Sequence, residues 1–323
     1  MTTEASQTLD LLNKLSGNDF SNVLAAYEQA KMLFDTIDRE CQDYLGKVSD
    51  GQLAAQLSSN LPWLTEAASG IESIFVYCDI SSVMRVLALI ARIRSIVHSL
   101  IGSDCVRFVP LSTQHTTLFT ASQGAADNQA VQAVYDEYCD RLARLPAFNV
   151  MLEGPHLAKD GGIIIEVHAH NCAVIDFKSD LQRSGPAGCV ANPFFFSTVG
   201  YILHASRNEM MRLWDAFRIE RMNIIRSFAR VRHLRISGAR NRLNIGDPQV
   251  VEICGYPRHM WGDDEAAKMM AALVDSASTW LGKAALSGIV FDQAWQHCER
   301  PEGAQARRAS EDLILRCIAE GFY

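Results

Sequence analysis

The sequence contains no Cys-x-x-Cys pair, although nine cysteines are scattered through its 323 residues. That spacing argues against a zinc ribbon and lays out no dense disulfide framework. Dispersed thiols in apolar contexts read instead as reduced, space-filling side chains of a cytoplasmic protein. Positive charge is also short: 30 Lys and Arg stand against 37 Asp and Glu, a formal net charge of −7. No global basic field exists to drive sequence-blind binding to a duplex, which leaves only a local basic groove open. Gly-rich phosphate loops of the P-loop or dinucleotide type are absent. So is a long uncharged apolar run. The greasiest stretch, residues 83–101, carries Arg85, Arg92, Arg94 and His98, so it reads as an amphipathic helix packed in the protein and no membrane span is expected. Residues 1–6 have no basic or apolar leader pattern, and no secretory leader is expected. What is there is 48% hydrophobic and 21% charged, the composition of a soluble globular chain with room for one large domain or two ordinary ones.

Taken in order, residues 8–100 read as helical almost throughout. Val23, Tyr27, Ala30, Leu33, Phe34 and Ile37 follow helical spacing. Leu53, Leu57 and Leu61 suggest a short helix, and 66–77 and 83–100 two more. This segment, 1–103, reads as a helical extension or oligomerisation element, with a homo-oligomer built through it as the expected assembly. From Cys105 the pattern changes. Strand-like runs at 106–110, 115–119, 148–153, 163–168, 194–203, 230–237 and 249–254 alternate with helical stretches at 127–145, 176–182 and 207–228. Gly154-Pro155 and Gly161-Gly162 punctuate the hairpin between two of the strands. Beyond Trp261 the chain returns mostly to helix, at 264–281 and 310–320. The fold class is therefore α+β, with an α/β sandwich as the other reading.

The stretch that carries chemistry is Pro110 to Phe119. In a strand, residues i and i+2 share a face, so His115 and Thr117 project side by side. An imidazole beside a hydroxyl can handle a proton and hold a phosphate or acyl oxygen. Taken alone such a triplet is ordinary strand surface, and the order of elements after it gives it weight.

The run of strand, His-x-Thr, helix, strand, hairpin, strand, helix and strand resembles the 2H phosphoesterase superfamily, which includes RNA ligase-like and cyclic phosphodiesterase proteins. The residues that carry the resemblance are His115-Thr116-Thr117-Leu118, Phe148 to Gly154, and Gly161 to Val167. The resemblance implies a bilobal α+β core of antiparallel sheets with helices over 104–258, a mostly helical segment 259–323 packed on it, and the extension 1–103. It also implies two His-x-Thr/Ser strands facing one groove, acting as base and acid on a phosphodiester of RNA or of a cyclic nucleotide. Two stretches compete for the second motif. Phe196-Ser197-Thr198 keeps the hydroxyl and loses the histidine; His233-Leu234-Arg235 keeps the histidine and replaces the hydroxyl with a guanidinium that can hold phosphate bidentately. Element order favours the first. The candidate catalytic residues are thus His115, Thr117, Thr198 and His233, with Ser197, Tyr201 and Arg235 as substrate-binding residues. No cofactor is expected. His168 and His170 share strand spacing, but no clear third ligand accompanies them, and no metal site is expected. With Phe196 the two-histidine relay is broken, and with His233 the second hydroxyl is lost and an unusual topology is needed, so a degenerate domain that binds a nucleotide or a protein partner without turnover is the competing expectation.

Overall fold

The computed structural model describes residues 21–253 apart from 66–69, 81–83, 146–147, 170–171, 185–188, 192–193, 223–226, 232 and 242–244. Helix α1 (Ser21–Lys47) buries Tyr27, Ala30, Phe34, Asp38, Cys41 and Leu45, a stripe at three- and four-residue spacing. Helix α2 (Asp50–Ser58) starts at a capping box in which Ser49 and Gln52 satisfy each other's backbone N–H groups. A short helix α3 (Leu61–Thr65) follows.

The next element corrects the sequence reading. Residues 66–77 were expected to be helical, but Ile71–Asp79 is strand β1. Its Ile74, Phe75, Val76, Tyr77 and Cys78 are all buried. A strand covered on both faces loses the apolar–polar alternation that marks a half-buried one, so its period is silent. Helix α4 (Met84–Leu100) is packed in the protein as expected, through Val86, Ile90, Ile93 and Val97. Among the described residues no helix is long and apolar enough to cross a membrane.

Strands β2 (Val106–Phe108) and β3 (His115–Ala126) precede helix α5 (Asn128–Ala143), which Asp127 caps by accepting the Ala130 N–H. Then come β4 (Phe148–Leu157), β5 (Gly162–Ala169), helix α6 (Cys172–Ser184), β6 (Phe195–Ile202) and helix α7 (Arg207–Met222). The turn from β4 to β5 needs a glycine at 161. Its φ is +86°, and a Cβ there would stand 2.9 Å from the Ile202 carbonyl oxygen. The single strand expected at 230–237 is two: β7 (Ser227–Val231) and β8 (His233–Ala239). They lie in different sheets. Strand β9 (Gln249–Glu252) completes the described chain. The helices expected at 264–281 and 310–320 lie outside the described residues.

Two sheets result, in strand orders β3-β1-β8-β9 and β2-β6-β5-β4-β7, with every pairing antiparallel. This is the bilobal α+β arrangement of the expectation. Strand β1, from the segment read as a helical extension, sits between β3 and β8 in the first sheet. The apolar core is continuous from Cys41 in α1 through both sheets to Ile253.

One core position is costly. Lys178 of α6 is buried, with Nζ donating to the Phe194 carbonyl at 3.2 Å and lying 3.3 Å from the centre of the Phe195 ring. Burial lowers its amine from 10.5 to about 7, with Cys78 offsetting a small part. A drop of that size corresponds to a penalty on the order of 4–5 kcal/mol in neutral solution. The carbonyl bond and the cation–π contact return part of it, about 1–2 kcal/mol. Lys178→Met, which conserves volume, should therefore stabilise the protein by roughly 2 kcal/mol at pH 7. The sign follows from proton counting. The unfolded lysine binds the proton the folded one has shed, so wild-type stability rises as pH goes from about 7 to 10.5. Urea melts of both proteins across that range check it: the gap between them should close at high pH.

Candidate active site

A groove of about 480 Å³ runs between the two sheets, and strands β3 and β6 supply its central walls. His115 and Thr117 line it from β3; Phe196 and Thr198 line it from β6. The middle residue of each triplet points the other way and stitches the sheets together beneath the groove. Thr116 Oγ1 donates to the Phe196 carbonyl at 3.0 Å. Ser197 Oγ donates to Gln114 Oε1 at 3.2 Å, and Gln114 Nε2 reaches the Val109 carbonyl. Thr116, Ser197 and Gln114 are all buried. Strand alternation thus does the same work twice, sending the outer residues of both triplets to the groove and the inner ones to the seam.

Of the residues singled out from the sequence, His115, Thr117, Thr198 and Tyr201 line this groove. Ser197 does not: it is fully buried in the seam, where a substrate cannot touch it. His233 is exposed and pairs with Glu252 of β9, away from the groove lining. Arg235 lies two strands from β3, and its Nη2 is 2.7 Å from Asp79 Oδ2, a carboxylate whose own backbone pairs with His115. Its charge is already met. His204 is exposed and lines no part of the groove. His170 lies outside the described residues.

The His115 ring is set by its neighbours. It rests against Phe75 and Tyr77 of β1, at ring separations of 5.4 and 5.0 Å. Nδ1 is 2.8 Å from the Thr113 carbonyl oxygen. A carbonyl can only accept, so Nδ1 carries the proton, and in the neutral ring Nε2 holds the lone pair. Burial lowers the pKa of the imidazole, outweighing the Thr113 bond and the Asp79 charge that favour the cation. Nε2 has no hydrogen-bond partner among the described residues. The result is a neutral base, tautomer fixed, beside two threonine hydroxyls.

In the second sheet, on β4 and β5, sequence reasoning missed a buried charged network. Glu153 of β4 and Glu166 of β5 are cross-strand partners, both buried. Like charges placed opposite each other repel and need cations. Lys31 of α1 supplies one, its Nζ 3.1 Å from Glu153 Oε2 and from Glu166 Oε1. His168 Nε2 is 3.0 Å from Glu166 Oε2. His156 bridges carboxylates with both nitrogens: Nδ1 to Asp38 Oδ2 at 3.0 Å and Nε2 to Glu166 Oε1 at 2.6 Å. Both nitrogens therefore donate, and the ring is an imidazolium. Burial alone would lower the His156 pKa, but the bonds to Asp38 and Glu166 raise it above its ordinary value. Burial alone would raise the Glu166 carboxyl, yet the bonds from His156 and His168 hold it well below the usual carboxylate range. Glu153, Glu166 and His168 each bring one ligand atom within 4.8 Å of the others, a spacing a metal ion could use. The Lys31 ammonium already takes the cation's place there. The signal available in the sequence was the hairpin itself, whose register sets the two glutamates opposite each other.

No protein-family model and no curated protein matches the sequence. Among solved structures the chain is similar to several, each at low identity. A conserved protein of unknown function from Agrobacterium tumefaciens is 15% identical over 56% of this chain and 86% of that one, with a TM-score of 0.40. E. coli LigT in apo form is 16% identical over 57% and 99%, with a TM-score of 0.37. TT0787 of Thermus thermophilus is 12% identical over 56% and 98%, with a TM-score of 0.35.

Proposed function

We propose that the groove binds a phosphodiester of a nucleotide or of RNA and hydrolyses it, with His115 as the base. The observation that carries this reading is the His115 ring, neutral and fixed by Thr113, in one groove with Thr117 and Thr198. Water attacking phosphorus must lose a proton, and Nε2 is placed to accept it. The threonine hydroxyls can donate to the non-bridging phosphate oxygens, where negative charge builds up in the transition state. A second reading is favoured by Phe196: with phenylalanine at the position of a partner histidine, the same groove binds such a ligand without turning it over.

The test is product release from a panel of p-nitrophenyl nucleotide esters and 2′,3′-cyclic nucleotides, with wild type and His115→Ala. Turnover of any member that is lost in His115→Ala supports the hydrolase. Turnover indifferent to that change removes His115 from the mechanism. Saturable binding of the panel with no product from any member establishes the second reading in its place.

A further inference from the structure

A diester hydrolysis needs two proton movements, one off the nucleophile and one onto the leaving oxygen. His115 is the one imidazole among the described residues that line the groove. Its counterpart across the groove, in matching register beside a threonine, is Phe196, which carries no proton. None of the other groups there stands at that register. Thr117 and Thr198 are alcohols, no better as acids than the leaving group they would serve. Asp160 lies at the β4–β5 turn, its Oδ1 accepting the Gly162 N–H. Tyr201 is the remaining acidic O–H.

We propose that Phe196 selects substrates by their leaving group: the groove hydrolyses phosphoryl linkages whose leaving group departs as a stable anion, and only binds those that must expel a sugar alkoxide. This rests on the hydrolase reading above and narrows its substrates: RNA and cyclic-nucleotide diesters stay ligands of the groove, and turnover is kept for linkages with a better leaving group. In the step, a water oxygen attacks phosphorus while His115 Nε2 takes its proton. The opposite P–O bond breaks, and the leaving oxygen keeps the bonding electron pair without being protonated. The proton on His115 then passes to solvent, and the charge balances. A nitrophenolate or the phosphate of a phosphoanhydride tolerates that departure, whereas an unsubstituted phenolate does so poorly. The alkoxide of a ribose ring, as in RNA or a 2′,3′-cyclic phosphate, does not, because its protonated form is a far weaker acid. The natural substrate class is therefore a phosphoanhydride of the dinucleoside pyrophosphate type, with RNA-like diesters as ligands rather than substrates.

The experiment uses the full chain and four probes: methyl p-nitrophenyl phosphate, methyl phenyl phosphate, 5′,5′-diadenosine diphosphate and 2′,3′-cyclic AMP. Wild type, Phe196→His and Tyr201→Phe are compared, with thermal melts to show that each is folded. A positioned general acid contributes about 10²–10⁴-fold. Wild type should hydrolyse the nitrophenyl ester and the pyrophosphate, and fall behind by about that factor on the phenyl ester and the cyclic nucleotide. Phe196→His should recover about 10²–10⁴-fold on those two and gain little on the nitrophenyl ester. Its pH–rate profile should also become bell-shaped where the wild type shows a single rising limb, a change that repacking alone would not produce. Tyr201→Phe should leave the leaving-group dependence as it is. The inference is overturned if wild type hydrolyses cyclic AMP as readily as the nitrophenyl ester. A steeper leaving-group dependence in Tyr201→Phe also overturns it, since that makes Tyr201 the acid. An absence of turnover on all four probes, in wild type and Phe196→His alike, sinks the hydrolase reading itself. That outcome is distinct from a flat dependence.

Discussion

Replacing His115 with alanine should lower turnover by about 10²–10⁴-fold, the usual contribution of a general base in hydrogen-bonding reach of its proton. KM should change little, because Thr117 and Thr198, the proposed holders of the phosphoryl oxygens, still line the groove. The pH profile separates a base from a packing residue. The lowered pKa of the His115 imidazole keeps it neutral below the ordinary histidine value of 6.5. Wild-type kcat/KM should hold level through neutral pH, persist somewhat below pH 6.5, and fall only as pH drops through the folded pKa. His115→Asn, which can still donate to the Thr113 carbonyl but cannot accept a proton at neutral pH, should lose the rate while keeping the melting temperature. Steady-state kinetics between pH 5 and 9 would check both points; a rate in His115→Asn equal to wild type would count against any proton transfer at this position.

Glu166→Gln should destabilise the fold by about 3–5 kcal/mol, because it removes one partner of a buried ionic cluster and leaves the others charged. Glu166 meets Lys31, His156 and His168; Lys31 is partly exposed, but His156 and His168 are buried and cannot recover water where they sit. At roughly 2–4 °C per kcal/mol for a chain of this size, the melting temperature should drop by about 10 °C. The cost is the penalty for unpaired charge rather than the worth of the pair. Lys31→Met/Glu166→Leu, which deletes charges of both signs, should therefore lose less than the two single changes together, and calorimetry of the four proteins measures the coupling. The cluster also sets a pH window. The pKa of His156 is raised in the folded state, so its contribution is complete below pH 6.5 and is lost as pH climbs through the folded value. Glu166 is depressed, so its contribution is present above 4.5 and is lost as pH falls through its folded value. Stability carried by this cluster should be greatest between those limits.

The groove is itself tied to that cluster through α1. Helix α1 docks on the sheet through Lys31 and Asp38, and between them Ile37 reaches the groove wall. Phe34 packs against both His156 and Phe194, and Phe194 packs against Phe196. Weakening the cluster is therefore expected to loosen one wall of the site as well as the fold.

How much of this was legible in the sequence can be judged residue by residue. Alternation is a local property, so the facing of His115 with Thr117, and of Phe196 with Thr198, could be read from their i, i+2 spacing. The α+β class followed from the change of period after Cys105 in the same way. The amphipathic stripe of α1 was visible for the same reason, since its core positions recur every three or four residues. Three things were not local. Ile71–Asp79 is covered on both faces, which erases the alternation that would have marked it as a strand. Residues 227–239 cross from one sheet to the other, a break that no periodicity reports. The choice between Phe196 and His233 as the residue opposite His115 depended on which strand borders β3 across the seam. By itself the sequence determined the class of fold, the first motif and the two candidates for the second. Only the tertiary structure decided that β6 faces β3 through the Thr116 and Ser197 hydrogen bonds, and that Lys31, 122 residues from Glu153, neutralises it. The physical reason is that pairing across a groove and pairing of buried charge are set by chain closure over long separations, which a strand's or a helix's own period does not encode.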